Sequence, residues 1–172
     1  MISTAIVLFS LAQAPIIEIS GANFRPLPLA LPVPNAQDDG AKKVAADFDE
    51  ALKFDLGACG LFQLLDRKSY LSDAKEGVTA STINFSNWSN VGADALVKTQ
   101  LSMDGELVRG DLRLFTVAAG KEEMKASESA SAKDVRKLAH KLANALYKFY
   151  TRETGPFETH LVWARKTGGG KD

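Results

Sequence analysis

Residues 95–117 hold two alternating runs, Ala95 to Ser102 and Leu107 to Val117, separated by Met103-Asp104-Gly105-Glu106. Asp-Gly between alternating apolar and polar residues predicts a β-hairpin, because glycine supplies the positive-φ turn that matches the twist of two antiparallel strands. In the second run Val108, Leu112 and Leu114 share one face, while Arg109, Asp111 and Arg113 share the other. One face of the sheet is therefore expected to be buried and the other wet. Ala118 to Lys121 marks a second turn, and Glu122 to Glu128 returns as a weaker third strand. A small meander with one apolar face is not stable alone, so another layer has to cover it.

The segment that follows supplies that layer. Val135, Leu138, Ala139, Leu142, Ala145, Leu146 and Phe149 recur at helical spacing, and Ser131 with Asp134 three residues on makes a capping-box-like start. Lys133, Arg136, Lys137, His140, Lys141 and Lys148 occupy the outside. This basic face is read as solvated, and His140 as a surface residue. The chain has 21 Lys+Arg against 21 Asp+Glu, and no aromatic residue interleaves the lysines, which argues against nucleic acid as a partner.

A second amphipathic helix is predicted over residues 40–55, with Asp38-Asp39-Gly40 as the N-cap region and Val44, Phe48, Ala51 and Leu52 on its apolar face. Asp47, Asp49 and Glu50 beside Lys42, Lys43 and Lys53 read as a charged flank rather than an acid/base pair. After Gly57 and Gly60, Leu61 to Leu65 forms a strand ending at Asp66-Arg67. Residues 72–82 are loop-like, and Asn84 to Val91 predicts a short helix closed by Gly92. Its two sequons, at Asn84 and Asn87, are discounted because Phe85 and Trp88 turn inward. Arg25 to Pro34 contains four of the six prolines. Proline donates nothing to a ladder, so this run is expected on a sheet edge or as an extended polyproline-like rim. The order of elements predicts an α/β fold with a mixed β-sheet packed by two main helices.

The residues that carry chemistry are sparse. Cys59 is the single cysteine, and the histidines are His140 and His160. One cysteine excludes an internal disulfide, a four-ligand zinc finger and a CxxC redox centre. Cys59 has no neighbouring group that would lower its pKa. No nucleotide-binding glycine loop, GxSxG or HExxH occurs, and Asp66, Arg67, Asp94 and Arg113 do not assemble into a catalytic site from their spacing. No enzyme, cofactor or metal is expected. Two readings remain: an interaction module, and a small-ligand or nucleotide-binding accessory domain, which would need a cleft of convergent polar groups.

At the amino end, Ile2 to Leu11 is a short apolar run, and the small residues Ala12 and Ala14 follow it. Residues 1–14 are read as a signal peptide and export is expected. About ten apolar residues are half of what a membrane span needs, so no direct membrane insertion is expected. Ile16 to Ser20 is a strand candidate at the start of a domain over residues 15–156. Beyond the Gly155-Pro156 break, residues 158–165 alternate like a strand, and Lys166 to Asp172 reads as a flexible tail.

Several landmarks in this order resemble the TolB amino-terminal domain family. The first aliphatic strand leads to Gly21 and Arg25-Pro26; Val44-Ala45-Ala46-Asp47-Phe48 opens a helix; and Gly60 to Arg67 (GLFQLLDR) ends a strand in Asp-Arg. Trp88 to Val97 (WSNVGADALV) is similar to the family's W-x-x-x-G-x-D-A-hydrophobic segment, and Tyr147 with Thr154-Gly155-Pro156-Phe157 resembles its passage into a β-propeller. The resemblance implies an anticodon-binding-like α/β architecture and a non-enzymatic periplasmic adaptor of the Tol-Pal machinery, contributing to outer-membrane integrity and division. It implies a TolA-like inner-membrane partner held by Gln13, Ala14, Pro15, Ile16, Ile17 and Glu18. A Pal-like lipoprotein would be reached only through the propeller, of which residues 157–172 would be the start.

Overall fold

The computed structural model describes residues 24–73 and 76–158. Its elements run β1 (Leu27–Ala30), β2 (Asn35–Ala36), α1 (Asp39–Ala58), β3 (Phe62–Leu64), α2 (Phe85–Asn90), β4 (Ala95–Asp104), β5 (Leu107–Thr116), β6 (Lys121–Ser131) and α3 (Val135–Thr151), with short 3₁₀ turns at Arg67–Ser69, Ala80–Thr82 and Ala132–Asp134. The strands form one mixed sheet in the order β3-β1-β4-β5-β6, with β2 also on β4. The predicted α/β fold is found: β3, β1 and β4 are parallel, while β4, β5 and β6 form the antiparallel meander.

The hairpin has the expected register, from Ala95 opposite Thr116 to Asp104 opposite Leu107. Its two-residue loop begins at Gly105, whose φ of 63° lies in the left-handed region open to glycine. On one face, α1 and α3 cover Leu29, Val97, Leu101, Val108, Leu112 and Leu114, all buried. Full burial of each such side chain contributes roughly 1.5–3 kcal/mol. Helix α1 starts where Asp38 caps it. One carboxylate oxygen accepts from Ala41 N–H at 2.8 Å, and the other accepts from Met103 N–H of β4 at 2.7 Å. The cap therefore also pins the helix to the sheet, and those two N–H groups hold the Asp38 carboxyl below the usual carboxylate range.

Three expectations are corrected. The proline-rich run is an interior strand, not an edge: β1 lies between β3 and β4. Leu27 N–H donates to Leu61 O and Leu65 N–H to Leu29 O on the β3 side, while the Pro28 carbonyl accepts from Asp94 N–H on the β4 side at 3.0 Å. The donor that Pro28 lacks would point toward β4 just before that ladder begins, at Leu29 opposite Ala95. An interior proline is tolerated because no ladder bond is lost.

The far face of the sheet is not wholly wet either. Ala30, Leu96, Phe115 and Val117 are buried there under Ile83, Trp88 and Ala93, making a second small core around α2. Gly92, with φ of 79°, closes α2 as expected. Only the distal rows of that face, with Arg109, Asp111 and Ser127 hydrogen-bonded together, remain polar.

In α3 the buried positions are Val135, Leu138, Ala139, Leu142, Ala143, Leu146 and Tyr150, so Ala143 and Tyr150 lie deeper than Ala145 and Phe149. The stripe drifts because 3.6 residues per turn do not keep a strict heptad. Ser131 donates its hydroxyl to the Asp134 carboxylate at 2.7 Å and caps no backbone N–H of α3, because a 3₁₀ turn intervenes.

Candidate interaction surfaces

The predicted contact residues Gln13, Ala14, Pro15, Ile16, Ile17 and Glu18 lie outside the described residues, as do the Ile16 to Ser20 strand, the 1–14 leader and His160. Phe24, the first described residue, packs against the helix-side core and leads through Arg25-Pro26 into β1. Glu18 is six residues upstream of that anchored point. The other end is anchored too: Phe157 N–H donates to Asn144 Oδ1 at 3.2 Å, and its ring meets Tyr147 edge-on at 5.9 Å.

Three charge pairs within the domain were not legible from sequence. Asp49 turns from the flank of α1 to grip Arg67 through both terminal guanidinium nitrogens, at 2.5 and 2.7 Å. Arg67 Nε also donates to Leu31 O at 2.6 Å, so the turn after β3 is fastened to the end of β1. Lys98 Nζ lies 2.6 Å from Glu76, with both side chains more than nine-tenths buried. Glu76 further accepts from Trp88 Nε1 at 3.0 Å and Asn84 N–H at 2.9 Å. Across the two large helices, His140 Nδ1 is 2.6 Å from Asp55. His140 is thus half-buried, which corrects its reading as a surface residue. The partners are far apart in sequence, so no local pattern joins them. Lys98 in the middle of Ala95-Leu96-Val97-Lys98-Thr99, a cation in a buried strand, was the one available signal.

Two hollows among the described residues are informative. One of about 240 Å³ at the carboxyl ends of β1 and β3 is lined by Pro32, Val33, Arg67, Tyr70, Glu76 and Lys98, among others. Four of its polar side chains are engaged by the protein itself: Arg67 with Asp49, Lys98 with Glu76, and the Tyr70 hydroxyl with Leu31 N–H and Leu65 O. A hollow of about 490 Å³ beside Phe54, Ala58 and Leu64 is apolar and shallow. Asp66 caps a 3₁₀ turn, Asp94 extends the backbone pairing of β1 and Arg113 pairs with Glu122 at 2.7 Å, so these residues are held by separate partners. Cys59 Sγ donates to Leu56 O, and burial pushes its thiol up, away from nucleophilic use. Among the described residues, no three of His, Cys, Asp and Glu stand close enough to hold a metal, and no helix is long and apolar enough to cross a membrane.

A mixed sheet with two helices on one face and a short helix on the other, its buried charges committed to internal pairs, defines a two-sided α/β module. The same architecture is seen in TolB from Acinetobacter baumannii (TM-score 0.55, 16% identity, over 76% of this chain and 30% of that one) and in the C-terminal domain of LpoB from Escherichia coli (TM-score 0.52, 21% identity, over 61% and 82%). The family model described as the TolB amino-terminal domain matches residues 15–123, and the chain belongs to that family. The Tol-Pal system protein TolB of Myxococcus xanthus is 55% identical over 163 residues, covering 95% of this chain and 38% of that protein. TolB of Anaeromyxobacter dehalogenans is 35% identical over 157 residues, covering 91% and 36%. The chain thus spans less than two-fifths of the length of these relatives.

Proposed function

We propose that the domain is a periplasmic adaptor of the Tol-Pal envelope machinery, acting without catalysis to support outer-membrane integrity and constriction at division. The observation that carries this reading is the 55% identity to a Tol-Pal system TolB across 95% of the chain. The partner is a TolA-like inner-membrane protein. Its contact is Gln13, Ala14, Pro15, Ile16, Ile17 and Glu18, where Ile16 and Ile17 add a strand to the partner's sheet edge. The anchoring of Phe24 supports this arrangement, because it ties a short upstream segment to a rigid sheet. Pal-like lipoprotein binding belongs to a propeller that follows the Gly155-Pro156 break, and residues 1–14 direct export.

The test is calorimetric binding to the C-terminal domain of a TolA-like protein from the same cell, with the chain intact and with residues 13–20 deleted. The intact chain is expected to bind and the deleted one to lose binding. Equal affinity of the two forms would move the contact elsewhere on the domain, and no binding by either would remove the partner.

A further inference from the structure

Charge is segregated along the chain in a way its zero net value hides. Residues 133–152 (KDVRKLAHKLANALYKFYTR) contain six Lys and Arg and one acid, Asp134, so this stretch is strongly basic and the rest of the chain acidic. The structure sorts those cations into two sets. Arg136 and His140 turn toward α1 and are taken by Glu50 at 2.9 Å and Asp55. Lys137, Lys141 and Lys148, with Lys133 in the preceding turn and Asn144 between them, fall at the spacing of one helix face. That face is opposite the buried row of Leu138, Leu142 and Leu146. Lys133, Lys137 and Lys148 are exposed and have no ion pair among the described residues. Lys141 makes a loose contact with Glu128 at 3.6 Å; Glu158, bonded to Asn144 at 3.3 Å, and Asp134, which accepts from the Ser131 hydroxyl at 2.7 Å, also border the ridge.

We propose that this lysine ridge on α3 is a docking surface for an anionic phospholipid membrane, engaged peripherally through headgroup phosphates. From Lys137 to Lys148 the ridge is about 16 Å long at 1.5 Å per residue. Ordinary solvated helix faces alternate sign and form i,i+4 pairs, and this one does not. Its chemistry fits a diffuse layer of phosphates better than a protein epitope. Lysine ammonium groups act as mobile point charges, whereas protein interfaces are built around aromatic and arginine anchors; beside these lysines Arg136 is paired with Glu50 and the Tyr147 ring is packed against Phe157. Each lysine near an anionic bilayer raises partitioning by roughly 5-fold, so the three exposed lysines give a membrane affinity that is weak alone and adds to that of protein contacts.

The 172-residue chain is sedimented with vesicles of phosphatidylcholine alone and with one quarter phosphatidylglycerol, at low and at physiological salt. It is expected to bind the anionic vesicles, to ignore the neutral ones and to weaken with salt. The triple variant Lys133→Gln/Lys137→Gln/Lys148→Gln is expected to lose about 100-fold in partitioning with an unchanged circular dichroism spectrum. Lys68→Gln, an exposed lysine elsewhere, is expected to behave as the parent. Wild-type partitioning by the triple variant, or no preference for anionic vesicles, overturns the proposal. Tighter binding to duplex DNA than to anionic vesicles at equal salt also overturns it and reassigns the ridge to a polyanion.

Discussion

Asp55 of α1 and His140 of α3 meet at 2.6 Å across the contact of the two large helices, with the Asp55 side chain 5% exposed. Burial pushes the Asp55 carboxyl above its ordinary value of 3.8, against the opposing pull of His140 and Arg136. The folded state therefore holds this proton more readily than the unfolded chain. The group favours folding most below pH 3.8, and its contribution declines as pH rises through the raised value. Asp55→Asn is expected to flatten the fall of stability with pH in the interval above 3.8, read from urea midpoints across pH. At pH 7 His140→Ala is expected to cost about 2–3 kcal/mol, because a buried carboxylate loses its partner. An unchanged pH profile in Asp55→Asn would mean that the carboxyl is not perturbed.

The Glu76 and Lys98 pair makes an asymmetric prediction. Glu76 serves three donors, Lys98 Nζ, Trp88 Nε1 and Asn84 N–H, whereas Lys98 serves Glu76 and lies over the Trp88 ring at 5.2 Å. Glu76→Ala should therefore destabilise more than Lys98→Ala, each by about 3–5 kcal/mol. The double variant should cost less than the two added together, which a double-mutant cycle in guanidinium measures. Additive losses would show that the pair is not coupled.

Thr99 sits on β4 with its residue 2% exposed, and its hydroxyl has no hydrogen-bond partner. Thr99→Val keeps the shape and removes the unpaired oxygen. It is expected to stabilise by about 1 kcal/mol and raise Tm by roughly 3 °C. A lower Tm would indicate that the hydroxyl is satisfied in solution.

Gly110 of β5 lies beneath α3. A Cβ built there comes within 3.0 Å of Leu142 Cδ1 and 3.2 Å of Leu138 Cδ2. Gly110→Val is expected to cost about 1–3 kcal/mol through overpacking, while Gly105→Ala in the hairpin loop costs through its positive φ with no clash. Gly110→Val with Leu142→Ala should cost less than the two single losses added, because the truncation removes the clashing methyl, whereas Gly105→Ala with Leu142→Ala should be additive, as thermal melts can read.

The hairpin at Asp104-Gly105, the two helices and their apolar faces, the Asp38 cap and the α/β class were all readable from residues 38–149. In these segments periodicity and turn chemistry act within a few residues of one another. The order of motifs also carried the resemblance to the TolB amino-terminal domain, which the family match bears out. What spacing could not supply was adjacency. Pro26 and Pro28 suggested an edge, yet β1 is interior, because the side on which the missing donor falls depends on which strand is its neighbour and where that ladder begins. Arg113 and Asp111 marked a wet face, yet Leu96 and Phe115 on that side are sealed by Trp88, because α2 crosses there only once the strand order is set. Asp49, Asp55, Glu76 and Lys98 became internal ties for the same reason: a charge finds its partner in space, through a distance law that takes no account of separation along the chain. Local sequence determined which elements form and which faces are apolar. Tertiary packing decided which polar groups were enclosed with a partner and which, like the lysines of α3, were left facing outward.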